Sequence, residues 1–357
     1  MPKTYRVAVI GRTGKGNYGH GLDSVWKLFP NVKVVAIADE DPAGLAKAGG
    51  RLGVRALYAD YQKMLRAEKP DVVAVSPRWV DCHHDMVIAA AEAHASIYME
   101  KPIARTLAEA DRMIRACDSA HVKLAVAHQM RISPNLDLVR ERIKAGAIGE
   151  LQEMRGRGKE DARVGGEDMM VLGPHIMDLM RQFAGDPQWA FGRVTAQDRD
   201  ITRRDAVEGP EGMGLIAGDA IAGSFAFAGG LTGYFSSKRS PEKSGKRFGL
   251  DLYGSLGIIS IRAGIDPTVQ ICASPQWNTA PWMPLELPGN PPRRSNDVAN
   301  GALVADLLEA IEQDRPPKSS GADARWNLEM VHALYRSQRS GKREPLPAQS
   351  REHPLAG

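Results

Sequence analysis

The sequence predicts an α/β region followed by an α+β region. The first is a doubly wound parallel sheet, and the second is built on a mostly antiparallel, open sheet. Three observations carry this reading. From Pro2 to Ala127, short apolar strand patterns alternate with helix patterns, as in strands joined by crossover helices. A glycine-rich turn, Gly11 to Gly19, follows the first strand at once. After His128 the pattern changes to period-two alternation with few helices between, which suits antiparallel strands covered on one face. The predicted domains are residues 1–127 and 128–357, the second closing with two helices.

Tyr5 to Ile10, rich in Val and Ile and without a turn residue, is the first strand. Gly11 stops it, Gly14, Gly16 and Gly19 follow, and His20 to Leu28 is the first predicted helix. Strand, glycine turn and helix start together cradle a pyrophosphate. Glycine lets the backbone approach, and the first N–H groups and positive dipole end attract the anion. Against the pattern Gly-x-Gly-x-x-Gly, Gly11 and Gly16 take the first and third places, with Thr13 at the second. Gly14, Gly16 and Gly19 fit equally, one turn later. The candidate phosphate contacts are therefore Gly11, Arg12, Thr13, Gly14 and Gly16.

Val32 to Ala38 is the second strand and ends on Asp39, where a dinucleotide fold hydrogen-bonds the adenosine ribose. Asp39 lies 28 residues beyond Gly11, against the usual separation of about 20. The first helix and its Pro30-Asn31 turn account for the excess. Asp41 with Pro42 suits the N-cap and first residue of the next helix, which leaves Asp39 for the ribose.

Pro42 to Leu52 is a helix, Ala56 to Tyr58 a short strand, and Tyr61 to Ala67 a helix capped by Asp60. Asp71 to Val75 is a strand stopped by Ser76-Pro77. His84 to His94 is an alanine-rich helix, and the strand Ser96 to Met99 ends on Glu100-Lys101-Pro102. Thr106 and Glu109 form a capping box for the helix Leu107 to Ser119, and Val122 to Ala127 is the last strand of the set. Beyond it, a helix over Asn135 to Ala145 precedes strands at Leu151–Arg157, Trp189–Ala196, Ala220–Phe227, Leu231–Ser237, Phe248–Tyr253 and Gly257–Ile261. Pro281 to Pro292 reads as an irregular loop. The closing helices, Asp297–Gln313 and Ala324–Ser337, repeat apolar residues at three and four.

Composition excludes several classes. Net charge is +4 over 357 residues, and the basic clusters Lys243–Lys246–Arg247 and Arg293-Arg294 are small and lack interleaved aromatics. Nucleic acid is therefore not a predicted partner. No apolar run approaches a membrane span, and a first strand at Tyr5 leaves no room for a signal or transit peptide. Cys82, Cys117 and Cys272 are far apart and odd in number, as in a reduced, cytoplasmic chain. Asp81-Cys82-His83-His84-Asp85 contains metal-ligand types. Adjacent helical residues point apart, however, and no second cluster has matching spacing, so no metal is predicted.

Five features in this order resemble the glucose–fructose oxidoreductase / inositol dehydrogenase / MocA (Gfo/Idh/MocA) family of nicotinamide-dependent oxidoreductases. They are the Gly11 loop, Asp39, Ser76-Pro77 followed by His83, Glu100-Lys101-Pro102, and Gly173-Pro174-His175-Ile176-Met177-Asp178. The resemblance implies a Rossmann domain binding NAD, with the acidic run Asp39-Glu40-Asp41 disfavouring NADP. It places Lys101 beside the nicotinamide and the reacting hydroxyl, held by Glu100. It makes His175 the catalytic histidine, with Asp178 one turn on to orient it or to bind a substrate hydroxyl. His83 opens the helix beside the nicotinamide ribose, Arg78 lines the nicotinamide mouth, and Gln129 and Arg131 face the cleft.

One position departs from the family. Many members carry an Asp four residues before the histidine, where this chain has Val171. Asp168, Glu167 and Lys159 lie near in sequence as substitutes. The polar stretch Gly156 to Arg163 suits a hydroxylated or anionic substrate. The predicted activity is hydride transfer between NAD and a secondary alcohol or ketone of a sugar, cyclitol or derivative, in a homo-oligomer (dimer or tetramer). Two rivals remain open. One is a glycoside hydrolase or lyase that retains its NAD and uses transient oxidation. The other is a non-catalytic sensor of NAD and sugar.

Overall fold

The computed structural model describes residues 3–163, 165–240, 242, 245–276, 281–289 and 291–356. Pro2, at the start of the first predicted region, Lys243 of the basic cluster and Asn290 of the proline-rich run lie outside the described residues. The chain divides into two compact units. One comprises Met1–Gln129, Pro210–Gly214 and Ser295–Arg325; the other comprises Met130–Gly209, Leu215–Arg294 and Trp326–Gly357.

The first unit holds six parallel strands: β1 (Tyr5–Ile10), β2 (Val32–Ala38), β3 (Ala56–Tyr58), β4 (Val72–Val75), β5 (Ser96–Met99) and β6 (Leu124–Val126). Their order is β3-β2-β1-β4-β5-β6. The order reverses between β1 and β4, and open α/β sheets bind ligands at the carboxyl ends of the strands beside such a switch. Apart from Arg6, β1 is fully buried, as a strand covered on both faces must be. Four helices accompany the sheet: α1 (Pro42–Leu52), α2 (Tyr61–Glu68), α3 (His83–Glu92) and α4 (Leu107–Ser119). Their caps are those the sequence predicts. Asp41 accepts from Gly44 N–H, Asp60 from Gln62 and Lys63 N–H, and Thr106 from Glu109 N–H. The capping box at α4 is only half made, because the Glu109 carboxylate accepts from Arg105 N–H and Nε instead.

The first predicted helix is not there. Of His20 to Leu28, only Val25–Leu28 forms a single 3₁₀ turn. Gly19 and Gly21 take φ of 63° and 87°, left-handed values that no helix tolerates. The space is filled from elsewhere. Trp26 is buried, donates from Nε1 to Leu22 O at 2.8 Å, and meets Tyr98 edge-on with centroids 6.2 Å apart. The helix Asn296–Glu312 packs on this turn and on β5. The sequence had placed that helix in the second domain. It belongs to the first unit, where the buried Asn300 accepts from Tyr98 OH at 2.8 Å and donates to His20 O at 2.9 Å.

The second unit is built on a ten-stranded sheet. Its order is Met283–Pro284, Thr268–Cys272, Ile258–Arg262, Gly249–Gly254, Leu151–Arg157, Thr232–Lys238, Ala220–Ala226, Trp189–Ala196 and Glu344–Pro345, with Arg199–Asp200 beside Trp189–Ala196. The pairing is antiparallel except where Thr232–Lys238 runs parallel to Leu151–Arg157. Thr268–Cys272 and two-residue strands at Met283–Pro284 and Glu344–Pro345 were not predicted, and the second of these corrects the loop reading of Pro281–Pro292. One face of the sheet buries Met154, Phe225, Phe235, Leu250, Leu252 and Ile259. On the other face Phe191, Ser224, Tyr234, Arg155 and Asp251 form one cross-strand row. Phe191 and Tyr234 in that row are each 44% exposed. Helices α5 (Pro134–Lys144), α6 (Gly165–Val171) and α7 (Gly173–Ala184) belong to this unit. Among the described residues, no helix is long and apolar enough to cross a membrane.

Candidate active site

In the first unit the predicted residues gather at the carboxyl ends of β1, β2, β4 and β5. The glycine turn closes on itself as a hairpin. Arg12 N–H donates to Asn17 O and Asn17 N–H to Arg12 O, both at 3.0 Å, and Gly14 N–H reaches Asn17 Oδ1 at 3.0 Å. Gly16 has φ of 84°, and a Cβ there would lie 2.4 Å from Arg78 N. The turn therefore sits directly on the Ser76-Pro77-Arg78 loop that follows β4. Since no α-helix starts after the turn, the predicted macrodipole is absent. Any anion held here is held by main-chain and side-chain groups of the loop itself.

Asp39 is buried and already engaged. Thr13 N–H lies 3.1 Å from both its oxygens, Thr13 Oγ1 donates to Oδ2 at 2.6 Å, and Asp41 N–H donates to Oδ1 at 3.0 Å. Beside it runs a slot lined by Ile10, Gly11, Arg12, Ala38, Glu40, Ala59, Tyr61 and Met86. Its apolar walls come from Ile10, Ala38, Ala59 and Met86, and its carboxylates are Asp39 and Glu40. Tyr18 is buried, and desolvation, with Asp39 close by, raises its pKa.

Glu100, at the end of β5, is 1% exposed. It accepts from His20 N–H at 2.9 Å and from Lys101 N–H at 3.1 Å, and His20 Nδ1 lies 2.7 Å from Oε1. Burial alone would raise its pKa, but His20 and the charge of Lys101 outweigh burial and hold it below the ordinary value. Lys101 is half-buried, and the Lys101–Pro102 peptide is cis. His83 is buried, with Nε2 2.7 Å from Pro77 O and Nδ1 2.9 Å from Pro102 O. Its ring thus ties the loop after β4 to the loop after β5, and burial lowers its pKa.

Most of the remaining candidates of this unit have partners of their own, whereas Ser76 Oγ has none among the described residues. Arg12 reaches Asp81 at 2.9 Å, Arg78 reaches Glu211 at 3.3 Å, and Ser76 is fully buried. Gln129 Nε2 donates to Asn300 Oδ1 at 3.0 Å. Asn300, which the sequence reading missed, is the hub here; its signal was an amide side chain inside an apolar helix. In the Asp81–Asp85 run, His84 pairs with Asp85 and Arg112, and burial pushes the Cys82 thiol up to about 11. Among the described residues no group of three His, Cys, Asp or Glu is arranged to hold a metal.

In the second unit, His175 is the third residue of α7, half-buried, with its N–H 3.1 Å from Leu172 O. Asp178, one turn on, does not serve it. The Asp178 carboxylate is buried and taken by Gln182 Nε2 at 2.8 Å, Asn327 Nδ2 at 3.1 Å and Arg131 Nε at 3.5 Å. Helical spacing put His175 and Asp178 near one face, but Asn327 and Arg131, remote in sequence, claim the acid. Asp168 is fully buried on α6, accepting from Ser237 Oγ at 2.6 Å and Glu160 N–H at 3.3 Å, and burial raises its pKa. Lys159 lies 3.6 Å from Asp161 and is half exposed. Glu160, not singled out from the sequence, is buried between Arg157 and Arg247.

An acidic slot at the carboxyl ends of β1 to β3, with a glycine turn after β1, is the arrangement of a dinucleotide-binding domain. Residues 5–128 match the family model described as "Oxidoreductase family, NAD-binding Rossmann fold", Gfo/Idh/MocA. Residues 5–128 therefore form an NAD-binding Rossmann domain of that family's type, and NAD(H) binding is assigned to this region. Among curated proteins the chain is 26% identical to D-apiose dehydrogenase of Paraburkholderia graminis, over 99% of this chain and 92% of that one. It is 28% identical to myo-inositol 2-dehydrogenase of Thermotoga maritima over 50% of this chain, about half (55%) of that relative's length. Among solved structures, levoglucosan dehydrogenase in complex with NADH and L-sorbose superposes with a TM-score of 0.77 at 21% identity, covering 97% of this chain and 100% of that one. That likeness concerns the fold.

Proposed function

We propose that this protein transfers hydride between NAD and a secondary alcohol or ketone of a sugar, cyclitol or derivative. The observation that carries the reading is the acidic slot at the switch point, with Glu100-Lys101 at the end of β5. The residues present fit a dinucleotide. Apolar walls beside Asp39 suit the adenosine half, and the Gly11–Gly19 turn lies where a diphosphate is held in such folds. The bound cofactor supplies the hydride acceptor or donor. The rest falls to this chain. Lys101, its backbone fixed by Glu100, binds the reacting hydroxyl and, in its unprotonated form, takes its proton. His175 is the second group assigned to proton transfer, imidazole being suited to it near neutral pH. Arg78, His83 and Gln129 are assigned to the cofactor side, and Arg131, Lys159 and Asp168 to the substrate side, with Asp178 holding Arg131 in place. The functional division follows the two compact units, the first for the cofactor and the second for the substrate, so that residues 295–325 serve the cofactor side rather than the predicted 128–357 domain.

Support for the substrate class comes from relatives whose names specify D-apiose, myo-inositol and levoglucosan. The test is native mass spectrometry of the purified protein for bound NAD(H), followed by a polyol and sugar screen read by NADH absorbance. NADH appearing in step with product supports the reading. Turnover with no NADH released would replace it with the cofactor-retaining hydrolase or lyase. NAD and sugar binding without turnover would replace it with the sensor.

We also infer a homo-oligomer, dimer or tetramer, pairing through the sheet face that bears Phe191 and Tyr234. A monomer at micromolar concentration in light scattering would exclude it. Three free cysteines, Cys82, Cys117 and Cys272, support a cytoplasmic setting.

A further inference from the structure

Thr13 stands where the Gly-x-Gly-x-x-Gly pattern has its second glycine, the residue whose missing side chain lets the backbone approach the pyrophosphate. A side chain at that place ought to obstruct the cofactor. The structure shows where this one goes. Thr13 turns away from the hairpin into a niche between Asp39 and the first turn of α1, with Oγ1 2.6 Å from Asp39 Oδ2. The niche exists because residue 44 has no side chain. A Cβ built on Gly44 would lie 1.9 Å from Thr13 Oγ1, 2.6 Å from its Cβ and 2.8 Å from its Cγ2. Those distances reach the root of the side chain, so a rotamer change alone cannot relieve them; the backbone at Thr13 must move.

We infer that Gly44 is a positioning residue for the cofactor site. It supplies the room that the missing second glycine would otherwise have provided, 31 residues downstream of Thr13. Local structure offers no other reason for glycine there. Gly44 sits in the first turn of α1, its N–H accepted by Asp41 Oδ1, and its φ is not left-handed. Alanine is the better helix former at such a position. The glycine thus costs helix stability and is explained by Thr13. The pair also fixes Asp39. Thr13 N–H and Oγ1 hold two sides of the carboxylate, so displacing Thr13 disturbs both the turn and the ribose acceptor.

The inference rests on NAD binding at this site, and its test separates the two. NADH binding is measured by fluorescence, and melting temperature in parallel, for the full-length protein, Gly44→Ala, Thr13→Gly and the double variant. If the unaltered protein binds no NADH, the cofactor reading fails before this one is reached. Overpacking at a tight contact predicts that Gly44→Ala weakens NADH binding by roughly tenfold or more. The melting temperature should fall only modestly, since alanine's gain in α1 offsets part of the overpacking cost. In a Thr13→Gly background there is no side chain to displace. Adding Gly44→Ala there should change the dissociation constant by less than about threefold, a coupling that only neighbouring sites show. KM for NAD should rise in Gly44→Ala while kcat at saturating NAD stays near that of the unaltered enzyme. If Gly44→Ala binds NADH normally, or if its loss is equally large with Thr13→Gly, the inference is wrong. Should Gly44→Ala not fold, the comparison of Thr13→Gly with the double variant decides. Equal affinity supports the inference, and a tenfold gap or an unfolded double variant overturns it.

Discussion

Glu100 Oε1 lies 2.7 Å from His20 Nδ1, and the same oxygen accepts His20 N–H at 2.9 Å. The residue that follows the glycine turn therefore holds the buried acid that precedes Lys101. Removing the ring leaves a buried carboxylate short of a partner, which costs about 1–3 kcal/mol. His20→Ala should lower the melting temperature at neutral pH accordingly. The pH dependence has a definite sign. The folded pKa of Glu100 lies below its ordinary value of 4.5, so this stabilisation is present above that value and is lost as pH falls through the folded pKa. In His20→Ala the acid limb of a stability–pH curve should start at higher pH. An unchanged limb would show that the pair does not stabilise the fold.

Asp39-Glu40-Asp41 puts carboxylates where NADP carries its extra phosphate. The unaltered protein should bind NADH more tightly than NADPH. Asp39→Ala should weaken NADH binding and narrow the preference, as titration with both cofactors will show. Tighter binding of NADPH to the unaltered protein contradicts the assignment of Asp39.

Losing a general acid–base group typically lowers the rate by about 10²–10⁴. Lys101→Ala and His175→Ala should each lose that much in single-turnover kinetics, while the NADH affinity of His175→Ala changes little. Full activity in His175→Ala on the true substrate rules out its role in the proton route. Val171→Asp restores the family carboxylate. It should either open activity on simple inositols or, by placing a charge at a half-buried position of α6, lower stability.

Asp178 is bound by Gln182, Asn327 and Arg131 rather than by His175. Asp178→Asn should therefore act mainly on stability, by about 1–3 kcal/mol, measured by denaturant unfolding. Its catalytic loss should stay below that of His175→Ala. A collapse in kcat with unchanged stability would return Asp178 to the chemistry.

The proposed proton route through Lys101 and His175 needs no Lewis acid. Dialysis against a strong chelator should leave turnover intact. Activity lost there and restored by zinc or manganese would point back to the Cys82–Asp85 run.

Much of the first unit was legible because its signals are local. Asp41, Asp60 and Thr106 announce their helices within three residues, and Asp39 and Glu100-Lys101 are fixed by the strand ends that precede them. What escaped depends on partners far away. Gly19 and Gly21 could have been read as breaking the first helix, but nothing near them says that Asn296–Glu312 packs there. Spacing could pair Asp178 with His175, yet it could not reveal that Asn327, 149 residues on, takes one carboxylate oxygen. The α6 and α7 helices were obscured because Gly165-Gly166 and Gly173-Pro174 look like loop punctuation.

The first unit is also stitched together across time. Its Tyr98–Asn300 hydrogen bond spans 202 residues, and Ser319 Oγ closes on Val126 O across 193. A ribosome releases β1 to β6 long before it makes the helix that covers Trp26. Until residues 295–325 emerge, the cofactor domain waits with an uncovered flank, and long-range closure of this kind slows folding. A gene cut after residue 127 would therefore yield an unfinished module rather than a smaller NAD-binding protein.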